Sequence, residues 1–217
     1  EYPVMTRTIS AGMAIDYREL ASGNFDGSVA EEAAQVQIDM NNKAVAYVLG
    51  IMKNSLANNT KYVKNYATYS GNAPTQAQVD SMVAKMRKMG KVAILGDYGI
   101  LSAICDWNGY KTVGDAKIPF YSPTQVDEIA KAGLNGFYKG STLVELANPY
   151  NYTKPLADKS GFETYYADDE LYFTAAGNKS PLNIFRRGGI TTMQGTDIET
   201  GTIKTRFDME IGADVTK

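Results

Sequence analysis

An α+β fold is what this sequence predicts, and three observations predict it. Between Val29 and Leu56 apolar residues recur every three or four positions, the spacing of a long one-sided helix. From Thr75 to Gly133, helix signals alternate with short apolar runs, so a mixed sheet with helices packed on it is expected. Near the end, Ile203, Thr205, Phe207, Met209 and Ile211 alternate with Lys204, Arg206, Asp208 and Glu210, a period of two.

The elements follow in order. Tyr2–Ile9 carries Val, Thr and Ile in mixed alternation and reads as a strand. Ala11–Gly27, with Gly23-Asn24 and Asp26-Gly27, reads as a loop. Ser28 and Glu31 form a capping box, which satisfies two backbone donors at a helix start. The stripe then runs through Val29, Ala33, Val36, Met40, Ala44, Tyr47, Val48, Ile51 and Met52, and stops at Asn58-Asn59. Glu32, Gln35, Asp39, Asn42 and Lys43 fill the opposite face.

Thr75 and Gln78 form a second capping box, ahead of Val79, Met82, Val83, Met86 and Met89. Gly90 is expected to close that helix as a left-handed cap. Lys91–Gly96 reads as a short buried strand, and Asp97 as the cap of a third helix ended by Asn108-Gly109. Ser122-Pro123 opens a fourth helix, with proline at its favoured first position, and Gly133 ends it. Strands are then expected over Glu170–Thr174, Ile184–Met193 and Thr202–Val215. The last two are joined through Asp197–Gly201 into a long antiparallel hairpin.

Composition excludes several functions. The 217 residues suit one large domain or two interwoven ones, and 44% hydrophobic with 21% charged is ordinary for a folded protein. A net charge of −2 supplies no basic field, which argues against a sequence-specific DNA binder. Histidine is absent, which removes the commonest general base and every Ser-His or Cys-His pair. The single cysteine, Cys105, sits in an apolar run and reads as a core residue. It allows neither an intrachain disulfide nor a Cys-based metal site. No apolar run approaches the roughly 20 residues that cross a bilayer, so no membrane partner is expected. The chain starts at Glu1 and not at Met, which reads as processing or trimming. The Asn-x-Ser/Thr triplets at Asn58, Asn151 and Asn178 read as chance. Fifteen tyrosines suit interfaces, where an apolar ring with a polar tip is useful.

Candidate chemistry is sparse. Asp168-Asp169-Glu170 and Glu199 are the carboxylates that a hydrolase would pair, yet adjacent acids beside a strand read as a solvated turn. Gly188-Gly189 and Gly133-x-x-Gly136 lack the spacing of a dinucleotide fingerprint. Arg186-Arg187 reads as a surface or interface pair. The expectation is therefore no catalytic residue, no cofactor, no metal and no enzyme.

The stretch Gly133–Tyr150 contains a "G-x-x-G-x-Y-x-G" turn (Gly133, Gly136, Tyr138, Gly140) and an "x-V-E-x-x-N-P-Y" strand end (Val144, Glu145, Asn148, Pro149, Tyr150). It resembles the major capsid proteins of tailed bacteriophages, the Hong Kong 97 type. Met86–Asp97 with Leu101 looks like their axial-domain helix and strand, and Asp168–Tyr172 resembles its last strand. The resemblance runs almost end to end. It implies residues 1–10 as the returning strand of an extended loop and 11–68 as a peripheral (P) domain with a spine helix. Residues 69–180 would form an axial (A) domain of mixed sheet and helices, and 181–217 the second part of the peripheral domain.

The implied function is a structural subunit that self-assembles through pentamers and hexamers into an icosahedral head shell around phage or prophage DNA. Scaffolding, portal and decoration proteins are the implied partners, the virion the implied location, and the host bacterial cytoplasm the place of assembly. The shell protein of an encapsulin-like bacterial nanocompartment is similar and is the alternative; a carboxylate-dependent hydrolase is the second. The resemblance gives Lys204, Arg206, Asp208 and Glu210 a role in meeting complementary charges on a neighbouring copy; without it they read as a solvated face.

Overall fold

The computed structural model describes residues 5–23, 29–58, 66–71, 73–108, 110–113, 116–119, 124, 131, 136–176 and 182–215. The chain divides into two compact units, one formed by Glu1–Lys61 with Pro181–Lys217 and the other by Tyr62–Ser180. Along the chain run β1 (Arg7–Asp16), α1 (Tyr17–Ser22) and α2 (Val29–Asn58). Next come α3 (Gln76–Met86), β2 (Lys91–Gly96), α4 (Tyr98–Asn108), β3 (Tyr110–Val113) and β4 (Ala116–Pro119). They are followed by β5 (Phe137–Tyr138), β6 (Ser141–Glu145), β7 (Tyr150–Pro155), β8 (Phe162–Thr164) and β9 (Leu171–Ala176). The long β10 (Leu182–Asp197) and β11 (Thr202–Val215) close the chain.

The first unit is a three-stranded antiparallel sheet in the order β1-β11-β10, with α2 packed on one face. The period-two pattern of β11 lands as expected. Thr205, Met209 and Ile211 are buried, while Lys204 and Arg206 are exposed on the other face. Met40, Ala44 and Val48 of α2 meet Ile9, Met209 and Ile211 to form the core. At 1.5 Å per residue α2 is about 45 Å long. Its burial is confined to the central turns, and Val29 and Ile38 near its start are exposed. Tertiary packing of that middle stretch, more than propensity, holds the helix to the sheet.

Two expectations about this unit need correction. β1 does not stop at Ile9: it continues to Asp16, through residues that read as loop. Unbroken pairing with β11, from Arg7↔Ile211 to Asp16↔Thr202, overrides the weak local signal. The glycine at position 12 fits this pairing closely, since a Cβ there would lie 3.1 Å from the Thr205 carbonyl oxygen. Second, Asp16-Tyr17-Arg18-Glu19-Leu20 is not a loop but the start of α1. Asp16 is its cap, accepting a bond from the Arg18 backbone N–H at 2.8 Å. The expected cap Ser28 lies outside the described residues, as do Tyr2, Asn59, Gly109, Ser122-Pro123 and Gly133. Within the expected fourth helix, Thr124 and Lys131 are helical.

The second unit is built on a four-stranded mixed sheet in the order β5-β6-β2-β9. β2 pairs parallel with β6 and antiparallel with β9, as a helix-strand alternation followed by hairpins demands. Thr75 caps α3 in the expected reciprocal box: its hydroxyl accepts from Gln78 N–H, and its own N–H donates to Gln78 Oε1. Gly90 is not a left-handed cap. The helix ends at Met86 with Arg87 as its cap, and Gly90 (φ 147°) instead leads the chain into β2. Asp97 caps α4 as expected, accepting from Gly99 N–H at 2.8 Å.

The core gathers Val79 and Val83 of α3, Val92 and Ile94 of β2, Leu101 and Ile104 of α4, Tyr138 of β5 and Leu143 of β6. Cys105 packs half-buried against it. Gly96 marks the tightest approach, because a Cβ there would meet Leu171 Cδ2 at 2.7 Å and Ile100 Cγ2 at 3.1 Å. Each fully buried large apolar side chain contributes on the order of 1.5–3 kcal/mol. Ile94→Ala should therefore lower unfolding stability by about 2–5 kcal/mol, through lost transfer energy and the cavity left behind. Ile198→Ala, at a position 92% exposed, should stay within about 0.5 kcal/mol of wild type. Thermal unfolding followed by circular dichroism checks both.

Candidate functional site

The sequence motif around Gly133–Tyr150 becomes a tight hairpin and a side-chain clamp. β5 and β6 pair through Tyr138↔Ser141, leaving Lys139 (φ 46°) and Gly140 (φ 73°) as a two-residue turn with both residues left-handed. This is why glycine stands at position 140. Tyr138 is fully buried and donates to Asp80 Oδ1 at 2.7 Å. Lys139 Nζ reaches Asp80 Oδ2 at 2.6 Å, and Arg87 donates to the Lys139 carbonyl oxygen at 2.5 Å. Burial, with the Asp80 hydrogen bond second, pushes the Tyr138 phenol up to about 12. Trp107 packs edge-on against the Tyr138 ring at 6.1 Å.

Asn148 explains the other half of the motif. Its amide donates to the Tyr166 carbonyl and accepts from the Tyr166 N–H, both at 3.0 Å. The Pro149 carbonyl accepts from Tyr165 N–H at 3.2 Å. These bonds tie the end of β6 to the segment before β9. Beside them, β7 and β8 form a short exposed hairpin on which Tyr152 stacks edge-on against Phe162 at 5.2 Å. Composition flagged many tyrosines, but only the fold shows that Tyr150 and Tyr152 stand exposed together on one strand.

Asp168 and Asp169 sit in an exposed turn, and the Asp169 backbone carbonyl accepts from the Tyr69 hydroxyl. Glu170 Oε2 accepts from Tyr172 OH at 2.5 Å, and burial with that bond raises the Tyr172 pKa. Glu199 belongs to the other unit. No group of three or more acidic or sulfur ligands able to hold a metal occurs among the described residues. No described helix is long and apolar enough to cross a membrane.

The charged face of β11 is neutralised within its own sheet. Lys204 Nζ bonds Asp197 Oδ2 at 2.7 Å, and Arg206 Nε bonds Asp208 Oδ1 at 2.8 Å. Ser10 on β1 joins that pair, donating to Asp208 Oδ1 at 2.5 Å while accepting from Arg206 at 3.1 Å. Arg187 Nε lies 3.7 Å from Glu210 Oε2. These charges therefore have ion-pair partners inside the subunit. The tip of the β10–β11 hairpin carries a shallow open depression of about 480 Å³, lined by Asp197, Ile198, Glu199 and Lys204.

Two compact units, one a long helix on an antiparallel sheet and the other a mixed sheet with helices, match the Hong Kong 97-type capsid fold. A family model described as "SPbeta prophage-derived putative capsid protein YonB" matches residues 1–217, the whole chain. The chain belongs to the YonB capsid family. Among curated proteins, none matches it in sequence. Among solved structures, the capsid of a native GTA particle is similar at 12% identity and TM-score 0.57, covering 99% of this chain and 70% of that one. The mature capsid of bacteriophage PhiM1 is similar at 13% identity and TM-score 0.56, covering 97% and 68%. A virus-like particle from Pyrococcus furiosus is similar at 11% identity and TM-score 0.54, covering 99% and 72%. At such identities the likeness is one of fold.

In this YonB-family capsid protein, two side-chain clamps lend themselves to test. Asn148→Ala should cost about 1–3 kcal/mol by leaving the two Tyr166 backbone groups without their partner, read as a lowered midpoint in urea unfolding. Asp197 has a second, pH-dependent signature. The Lys204 bond, then the Thr200 bonds, hold its carboxyl down from 3.8 to about 2. Its stabilisation is present above pH 3.8 and is lost as pH falls through about 2. Asp197→Asn should accordingly flatten the acid limb of a stability-versus-pH curve in that window and leave neutral pH behaviour unchanged in shape.

Proposed function

We propose that this chain is the shell-forming subunit of a prophage-derived head, and that its copies assemble through pentamers and hexamers into a closed icosahedral shell around DNA. The observation that carries the proposal is the capsid-family match over all 217 residues, borne by a chain with the Hong Kong 97-type fold. In this reading the Tyr62–Ser180 unit is the axial domain, and the unit made from both chain ends is the peripheral domain with α2 as its spine. A net charge of −2 suits a container that encloses DNA without holding particular sequences. The exposed Tyr150 and Tyr152 on the β7–β8 hairpin suit contacts between copies. Scaffolding, portal and decoration proteins are proposed partners, the virion its location, and the host bacterial cytoplasm the place of assembly. No catalytic role is proposed.

A second reading is a nanocompartment shell. It is favoured by the fold shared with the Pyrococcus furiosus particle and with a Synechococcus elongatus encapsulin complex. Both readings make the subunit a shell builder, and they part on contents. Negative-stain electron microscopy of the protein co-expressed with its neighbouring genes should show closed shells or ring-shaped capsomers. Nuclease-protected DNA inside purified shells supports the head; a single co-purifying protein cargo with no protected DNA supports the nanocompartment. A monomer under all these conditions removes both.

A further inference from the structure

The strand register of the second unit sets opposite charges at opposite ends of its four-stranded sheet. β2 pairs with β9 through Lys91↔Ala176 at one end and Gly96↔Leu171 at the other. β6 runs parallel beside β2 and finishes level with it, at Gly96↔Glu145. At the starting end of these strands stand Lys91, the Arg87 and Lys88 that precede it, and Lys139 in the turn between β5 and β6. At the far end stand Glu145, which closes β6, and Asp168 and Asp169, just ahead of β9. All of these side chains are exposed.

Within one subunit the two groups lie too far apart to neutralise each other. β2 is 6 residues long, so at about 3.3 Å per residue its ends are about 17 Å apart. That is twice the Debye length of about 8 Å at physiological salt. At the basic end Lys139 is paired with Asp80 at 2.6 Å. Arg87, Lys88 and Lys91 have no carboxylate partner among the described residues. The C-terminus of α3 suits Arg87 and Lys88, because cations favour that end of a helix. It does not account for Lys91, which stands on β2. Each end also exposes an apolar side chain, Met89 among the cations and Tyr98 directly after β2 at the acidic end. A thioether and an aromatic ring make a favourable contact.

We infer that the basic end of this sheet, with Arg87, Lys88 and Lys91, docks the acidic end, with Glu145, Asp168 and Asp169, of a second copy of this chain. The contact joins unlike ends, so it is heterologous and runs head to tail until a ring closes. Exposed ion pairs add little affinity one by one. As an array they steer the encounter, fix its register and penalise a copy that arrives reversed. A second copy is favoured over a nucleic acid because the acidic complement lies on the same chain, whereas phosphate binding would leave the acidic end unanswered. The inference rests on the shell-subunit reading.

The test is charge reversal in the full chain, read as shell yield by sedimentation. Lys88→Glu with Lys91→Glu should cut the yield about tenfold or more by setting like charges together. Asp168→Lys with Asp169→Lys should do the same. The four substitutions combined exchange the two ends and make them complementary again, so most of the yield should return. Each variant should keep the wild-type melting temperature, since these side chains are exposed and the Tyr69 bond is made to the Asp169 backbone. Normal yield from either reversed pair overturns the inference and leaves the shell function standing. Failure of the combined variant to recover does the same. A lysine pair whose reversal leaves shells intact but empties them of protected DNA would make the basic end a phosphate contact, and the inference falls. Failure of the wild type to assemble removes the function and this inference together.

Discussion

The position of β11 between β1 and β10 is the constraint on which the first unit depends. One strand near the end of the chain pairs on one side with a strand near its beginning, over ten consecutive residues. On the other side it pairs with its own hairpin partner. Its buried face, with Met209 and Ile211, is the surface on which Met40, Ala44 and Val48 of α2 settle. Remove the strand and the helix has no floor, while β1 has no partner. On its opposite face Lys204 pairs with Asp197, Arg206 with Asp208 and Glu210 with Arg187, while Ser10 donates to Asp208.

In the second unit the comparable role falls to Tyr138. Its ring fills the core beside Leu101 and Ile104, and its hydroxyl is bonded to Asp80 at the edge of α3. One side chain thus links β5 to both helices without leaving a buried polar group unpaired. Residue 139, next to it, is held in a left-handed conformation that a lysine adopts only at some cost. The Asp80 ion pair and the Arg87 bond on its carbonyl oxygen keep it there.

Much of this was legible in the sequence, for physical reasons that can be named. The Thr75–Gln78 box and the Asp97 cap were readable because capping is local chemistry. β11 was readable because burial on one face forces strict alternation. β1 beyond Ile9 was not, since its extended form is imposed by a partner some 200 residues away and its own residues are small. Gly90 misled because a glycine after a helix has more than one use, and here it bends the chain into β2. Of the carboxylates at Asp168–Glu170, two are solvated and the third accepts a hydrogen bond from a tyrosine, pairings that the sequence does not reveal. The Tyr138–Asp80–Lys139 cluster and the Asn148 clamp were invisible, because each joins residues that only the fold brings together.

The threading of the first unit from both chain ends also sets a timetable for its birth on the ribosome. Arg7 finds its partner Ile211 only after about 200 further residues have been made, which at roughly 5–20 residues per second is about 10–40 s. Through that interval β1 and the apolar stripe of α2 wait without their sheet, while every strand and helix of the intervening unit has already emerged. The inserted unit can therefore finish first, and the unit that encloses it in sequence can close only once β11 has been made.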